Sequence, residues 1–276
     1  MPSSTDAIRT VVGSQGAVLR DRLDGLQGVV RITLSNPAKF NAMSRSMWRS
    51  LQRAFEDIQS DASVRCVVVQ GDGAHFCAGG DISEYAAFRF QEDSLRDFHE
   101  NDVWGALQAL QDCDVPVIAY IEGNCMGAGI EIASCCDVRV ASASARFGAP
   151  IAKLGFPMAP REAALVMGAV GELTAREMLL TAAVLSADVM LQRGFLNQVV
   201  DGAQLQSVVQ SEAQATAALA PHAARLNKQS LRALARTSYA QAATHLIASA
   251  YRYADSEEHR EGIAAFTEKR KPRFAR

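Results

Sequence analysis

The 276-residue chain is 49% hydrophobic and balances 28 basic against 30 acidic side chains, for a formal net charge of −2. That size and composition provide for a sizeable buried core, and the lack of a broad basic field argues against nucleic acid or an anionic membrane as the main partner. No stretch approaches the roughly 18 uninterrupted apolar residues of a membrane span, and the N-terminus lacks the apolar core of a secretory signal, so a cytoplasmic protein is expected. The six cysteines, Cys66, Cys77, Cys113, Cys125, Cys135 and Cys136, lie mostly inside apolar runs without a C-x-x-C pair. They read as reduced, buried thiols, and the histidines are too scattered for a zinc site.

In chain order, residues 1–15 are polar and expected to be loose. Strand-like runs follow at Gly16–Leu19 and Val29–Leu34, the second ended by the turn Ser35-Asn36-Pro37. After Ser44 the spacing of Met47, Leu51, Ala54, Phe55 and Ile58 predicts a helix with one apolar face. The run Cys66–Val69 is too apolar to have a wet face. A second helical region, about 92–111, leads to the apolar run Val115–Ile121, and another strand is expected at Asp137–Ala141. Strands buried on both sides and alternating with helices predict an α/β fold with mostly crossover connections. From about residue 161 the chain turns helical and alanine-rich, and from 206 to the end an all-helical appendage is expected. The predicted division is therefore a core over 1–205 and a helical subdomain over 206–276.

The chain has no P-loop and no G-x-S-x-G elbow, and Gly127-Ala128-Gly129 lacks the third glycine of a dinucleotide fingerprint, because Ile132 takes that place. It does have two places where a strand runs into small residues, Phe76–Asp81 and Gly123–Gly129. Small residues let a ligand approach the backbone and leave N–H groups free at a helix start. Either one alone reads equally as a mere tight turn; together they suggest two N–H groups converging on one oxygen, as in an oxyanion hole. Glu131 follows the second, flanked by Ile130, Ile132 and Ala133. A carboxylate in such company is a candidate for a raised pKa and proton transfer, or else an acid favoured by the helix dipole. Phe88, Phe90, Phe98 and Trp104 could form an aromatic pocket or ordinary helix packing.

The segments F-C-A-G-G-D-I (Phe76–Ile82), V-P-V-I-A-Y-I-E-G-N-C-M-G-A-G-I-E (Val115–Glu131) and E-G-I-A-A-F-T-E-K-R-K-P-R-F (Glu261–Phe274) resemble the crotonase (enoyl-CoA hydratase/isomerase) superfamily. The resemblance runs from about residue 16 to the C-terminus. It implies a spiral of ββα units with a helical C-terminal subdomain that forms trimers, often paired as dimers of trimers. It also implies an acyl-CoA thioester as substrate, with no cofactor beyond the coenzyme A that the substrate carries. Matched motif to motif, Gly80 and Ala128 would donate their N–H groups to the thioester oxygen, and Glu131 would be the first acid/base glutamate. Lys39, Phe40 and Ala42, together with Ala78, Gly79, Asp81 and Ile82, would line the CoA groove. Phe266 and Lys269 would reach a neighbouring subunit's CoA, with a solvated helix charge the alternative for Lys269.

One departure matters. Ile151 stands where the family has its second glutamate, and Phe156–Glu162 replaces the glycine-rich I-P-G-A-G-G-T. Glu162 is read in two ways: as a partial substitute for the missing acid, or, the favoured expectation, as an acid that serves only the helix dipole. The resemblance then implies an enoyl-CoA hydratase-like enzyme in which Glu131 is the single acid/base. The alternatives are other crotonase chemistry (decarboxylation, C–C cleavage, thioester hydrolysis or isomerisation) and acyl-CoA binding without turnover.

Overall fold

The computed structural model describes residues 16–235 and 251–273. The expected loose segment 1–15, part of the expected helical tail (236–250) and Phe274 lie outside the described residues. In chain order the elements are β1 (Ala17–Arg22), β2 (Val29–Ser35), α1 (Arg45–Ser60), β3 (Cys66–Gly71), α2 (Glu92–Asp97), α3 (Trp104–Asp112), β4 (Val117–Ile121), β5 (Asn124–Met126) and α4 (Ala128–Cys135). After them come β6 (Val138–Ser142), β7 (Arg146–Gly148), α5 (Pro160–Val170), α6 (Glu172–Thr181), β8 (Val184–Ser186), α7 (Ala187–Gln192), β9 (Gln198–Val200), α8 (Gly202–Ala217), α9 (Pro221–Ala235) and α10 (Glu257–Thr267).

The main sheet has the order β1-β2-β3-β4-β6-β9. Only β1 is antiparallel; Val30 pairs with Val67, Val67 with Val117, and Ile118 with Val138, all in parallel register. The expected strands at Val29–Leu34, Cys66–Val69, Val115–Ile121 and Asp137–Ala141 are thus its four central members. Their continuous apolar character has a direct cause. One face, carrying Val30, Ile32, Val67, Val69 and Ala119, packs into the large core with α1 and α3. The other, carrying Val29, Cys66, Val68, Ile118 and Val140, is covered by Leu205, Val209, Ala213 and Ala217 of α8. A helix on each side leaves no wet face, so the period-2 alternation disappears. The expected boundary at 205/206 falls inside α8, a helix that belongs to the sheet it covers.

α1 starts where Ser44 caps it, its side chain accepting the Met47 N–H, and it buries Met47, Trp48, Leu51, Phe55 and Ile58. The helical region expected at 92–111 is more elaborate. α2 and α3 are joined through a π turn, Phe98–Val103, that turns Phe98, His99, Asp102 and Val103 inward. Asp102 there accepts from both Arg45 Nε and Arg49 Nε at 2.6 Å, tying the turn to the start of α1. The stretch after 161 is not purely helical: β8 pairs with β7, and β9 with β6. The tail also departs from an all-helical form, since 251–255 are turns and 268–273 follow the end of α10. All six cysteines are free and buried, and burial pushes the Cys66, Cys77 and Cys136 thiols up to about 12. They are packing residues, far from nucleophilic at neutral pH. Among the described residues no helix is long and apolar enough to cross a membrane, and no cluster could hold a metal ion.

Candidate active site

The two small-residue segments meet. Cys77 and Cys125 form a parallel bridge, with the Cys77 N–H donating to Asn124 O at 2.9 Å and the Met126 N–H to Cys77 O at 2.8 Å. On either side of Gly80, the Met43 N–H donates to Gly79 O and the Asp81 N–H to Met43 O, both at 2.8 Å. That pattern leaves the Gly80 N–H outside the ladder. Gly127, at φ 49° and ψ −110°, caps α4 and makes Ala128 its first residue, whose N–H has no carbonyl one turn back. Neither N–H donates to a backbone carbonyl among the described residues. The turns touch, since a Cβ on Gly127 would stand 3.5 Å from Gly79 Cα.

Gly129 is fixed by the same closeness: a Cβ there would lie 2.7 Å from the Cys77 carbonyl oxygen. Gly129→Ala is expected to cost a net ~1–2 kcal/mol, because overpacking against backbone outweighs the roughly 1 kcal/mol of helix propensity gained. Urea unfolding measures this; a variant as stable as the parent would mean the two segments separate easily.

The residues expected along the CoA groove gather beside these turns. Lys39 Nζ donates to Asp81 Oδ2 at 2.6 Å and to Ser83 Oγ at 2.7 Å, and Asp81 also caps the 3₁₀ turn Ile82–Ala87 by accepting the Ser83 N–H. The Ala78 N–H donates to Phe40 O at 3.0 Å. Ala42 is buried, Ala78 and Ile82 are half-buried, and Phe40 is 53% exposed with its ring edge-on to His75. Phe40 and Asn41 both take left-handed backbone, φ 50° and 62°, a conformation costly for a ring-bearing residue. Fully buried Asn41 holds it, donating through Nδ2 to the Asp72 and His75 carbonyls and accepting the Asn36 N–H. Phe266 and Lys269 are exposed at the end of α10, Lys269 between the ion-paired Glu268 and Arg270. α10 itself packs against the turns Ile82–Ala87 and Ile151–Leu154.

Glu131, in the first turn of α4, is 8% exposed. Burial, and next the charge of Glu162, hold its carboxyl well above the usual range, partly opposed by Arg89. Glu162 has contacts beyond its own helix. It does accept the Ala159 N–H at the start of α5, where Pro160 is the first residue, much as the third residue of a capping box does. Yet its carboxyl is buried at 3% exposure, lies 2.8 Å from His99 Nδ1 and is within the electrostatic reach of Glu131. Burial raises Glu162 to about 8, against the lowering influence of Arg89 and the Ala159 N–H. Ile151 opens the neighbouring 3₁₀ turn, half-buried against the core, and can carry no proton.

The pH dependence of stability follows. Glu162 keeps its proton in the fold up to about 8, but gives it up near 4.5 when unfolded. Its contribution is full below 4.5 and is lost as pH rises through 8. Wild type should therefore lose on the order of a few kcal/mol more than Glu162→Gln between about pH 5 and pH 8. Parallel urea titrations of the two proteins check the slope; equal slopes would place the Glu162 carboxyl in a wetter setting.

Sequence reasoning missed the rest of this buried cluster. Arg89, 1% exposed, lies between the rings of Tyr85 and Phe156, 4.4 and 4.0 Å from their centroids. It donates to His259 Nε2, His99 Nε2 and the Tyr253 hydroxyl at 3.4, 3.3 and 3.1 Å, and no carboxylate pairs with it among the described residues. Burial lowers both histidines, His259 to about 4. Phe88 and Phe98 contact each other and Tyr85, so part of the expected aromatic cluster does form, whereas Phe90 packs on His259. Trp104 is the outlier, lying under the Arg161 guanidinium. The available signal was a polar residue inserted beside aromatics, Phe88-Arg89-Phe90 and Phe98-His99.

Comparison with known proteins identifies the family. A model of the enoyl-CoA hydratase/isomerase family matches residues 24–276. A short-chain-enoyl-CoA hydratase of Clostridium acetobutylicum is 31% identical over 88% of this chain and 92% of its own. Among solved structures, an enoyl-CoA hydratase/carnithine racemase from Magnetospirillum magneticum superposes with a TM-score of 0.76 at 33% identity, covering 94% of this chain and 95% of that one. A methylmalonyl-CoA decarboxylase in complex with 2-nitronate-propionyl-CoA gives a TM-score of 0.81 at 25% identity, covering 94% and 98%. The chain is an enzyme of the enoyl-CoA hydratase/isomerase family, within the crotonase superfamily.

Proposed function

We propose that the enzyme adds water across the double bond of a 2-enoyl-CoA. The Gly80 and Ala128 N–H groups receive the thioester oxygen, and Glu131 and Glu162 together move the protons. The observation that carries this reading is the burial of Glu162 beside Glu131, which puts a second carboxyl in the site although Ile151 stands where the family has one. Water adds to C3 as its proton passes to a carboxylate, the double-bond electrons move onto the thioester oxygen, and the enolate then collapses as C2 takes a proton from the other carboxyl. Of the pair, Glu162 is the one that gives up its proton more readily, because Arg89 and the Ala159 N–H favour its ionised form and His99 Nδ1 lies 2.8 Å from it. Glu131, without such donors, is the acid. Each N–H on the developing oxyanion is worth about 3 kcal/mol.

The groove lined by Lys39, Phe40, Ala42, Ala78, Gly79, Asp81 and Ile82 takes the CoA moiety, and no cofactor is required. Exposed Leu226, Leu231 and Leu234 on α9 and Leu173 and Leu180 on α6 support a homotrimer or a dimer of trimers, with Phe266 and Lys269 turned toward a neighbour's CoA. Mass photometry is expected to give three or six chains. Six free, buried thiols are in keeping with a reducing, cytoplasmic setting.

A second reading, decarboxylation of a malonyl-type thioester, is favoured by the likeness to methylmalonyl-CoA decarboxylase and by the apolar Ile151. Incubating the enzyme with short, branched, aromatic and malonyl-type thioesters and weighing the products separates the two. Hydration adds one water to a 2-enoyl thioester; carbon dioxide loss from a malonyl thioester without any hydration would replace the first reading with the second. Saturable CoA binding with no product from any thioester would sink both.

A further inference from the structure

We propose that His99 is a positioning residue for Glu162, and that Arg89 fixes the hydrogen-bonding role of His99 by donating to its far nitrogen. The inference rests on the reading of Glu162 as a member of the reacting pair.

A guanidinium has five N–H donors and no acceptor. Because Arg89 Nη1 lies 3.3 Å from His99 Nε2, that nitrogen must offer its lone pair, which puts the ring's only proton on Nδ1. Nδ1–H then points at Glu162 Oε1, 2.8 Å away, as a donor. An imidazolium would set two donors against each other at the Arg89 end, so the ring is neutral; its burial beside the arginine favours the same form. His259 repeats the pattern independently: Arg89 Nε faces its Nε2, and its Nδ1–H donates to the Ala254 carbonyl at 2.9 Å. One arginine thus sets the tautomer of two histidines, and one of them aims an N–H at a carboxyl in the site.

The backbone makes room for this. His99 sits in the π turn, where the inserted residue turns it inward together with Phe98, and such turns are frequent at functional sites. The turn is held from outside through Glu100, which takes an ion pair from Arg161 at 3.2 Å and the Tyr251 hydroxyl. The Tyr251 ring stacks on the His99 ring at 5.5 Å between centroids. The histidine therefore has little freedom to rotate, and Glu162 Oε1 meets a fixed donor.

A fixed neutral donor keeps the Glu162 carboxylate in one rotamer and favours its ionised form. Losing it leaves Glu162 facing Arg89 from just after the Ile82–Ala87 turn, Glu131 from α4, Glu100 from the π turn and its own Ala159 N–H. Tyr85, Tyr251 and Tyr253 complete the titratable groups that feel its charge.

The test compares His99→Asn with His99→Gln. The asparagine amide N–H can take the place of Nδ1–H, whereas the glutamine amide reaches toward Nε2. Infrared titration of the Glu162 carboxyl band, assigned by its disappearance in Glu162→Gln, reads ionisation without turnover. We expect the midpoint to stay within about half a pH unit of wild type in the asparagine variant and to rise by about one unit or more in the glutamine variant. With but-2-enoyl-CoA, kcat should fall about tenfold or more in His99→Gln, with KM little changed and the acidic limb of activity displaced to higher pH. Arg89→Met should behave as His99→Gln does, which keeps the test available if one variant folds poorly. Identical Glu162 midpoints in the two folded His99 variants would overturn the inference. Unchanged turnover in Glu162→Gln would instead overturn the role of Glu162 in the proposed reaction, and the infrared result would still decide whether His99 acts on it.

Discussion

Replacing Glu131 with Gln is expected to lower kcat by about 10²- to 10⁴-fold while CoA binding stays within a few fold. The amide keeps the shape and much of the packing of the side chain, so α4 still starts at Gly127 and Ala128 still presents its N–H. What it cannot do is release a proton to C2. The raised carboxyl is the physical reason for so large an effect: burial, and next the charge of Glu162, push it well above the usual range and favour the form that carries a proton to deliver. The variant should also be slightly more stable than wild type above neutral pH, since it removes one member of a mutually repelling pair. Steady-state kinetics with product analysis, alongside CoA titration calorimetry, checks both parts. Unchanged turnover would make Glu131 a structural acid.

Gly80→Pro is expected to cost about 10²- to 10³-fold in kcat, because it deletes one of the two N–H donors. The structure shows how to isolate that loss. Any side chain at position 80 collides with the Tyr85 hydroxyl, so proline changes two things at once. Gly80→Ala keeps the N–H and makes the same collision, and Tyr85→Phe removes the hydroxyl that is struck. In the Tyr85→Phe background, alanine at 80 should retain most activity and proline should not. Tyr85 is close to both Glu131 and Glu162, and burial raises its hydroxyl to about 12, so it stays neutral under all assay conditions. Proline and alanine variants of equal activity would remove Gly80 N–H from the reaction.

The central sheet was legible because its chemistry is local. A strand covered by α1 and α3 on one side and α8 on the other must be apolar at every position, and Cys66–Val69 and Val115–Ile121 announce that in sequence. Three-residue strands such as β5, β8 and β9 carry no period, and their pairing is decided by distant partners. The two small-residue turns were legible for a related reason: Gly79, Gly127 and Gly129 are required by close backbone approach, and glycines in a row stand out. Lys39, Asp81 and Glu131 came from matched motifs, and the fold sets Lys39 on Asp81 at 2.6 Å.

The other half of the site was not legible. Arg89, His99, Glu162 and His259 are spread over 170 positions, and none has a motif. Glu162 has an ordinary explanation in its helix start, and its Ala159 bond makes that explanation half true. Only the folding of the π turn against α5 puts a histidine on its other side. Ile151 showed that an acid was missing; where a replacement stood depended on contacts that no single sequence displays.

The central claim is that Glu131 and Glu162 act as one unit in place of the family's usual pair. The most direct test is hydration of but-2-enoyl-CoA by Glu131→Gln, Glu162→Gln and the double variant, each confirmed folded. Groups that act together are strongly non-additive. Each single variant should lose about 10²-fold or more, and the double variant should fall no more than about tenfold below the weaker of them. Wild-type turnover in Glu162→Gln, with all of the loss confined to Glu131, would contradict the account.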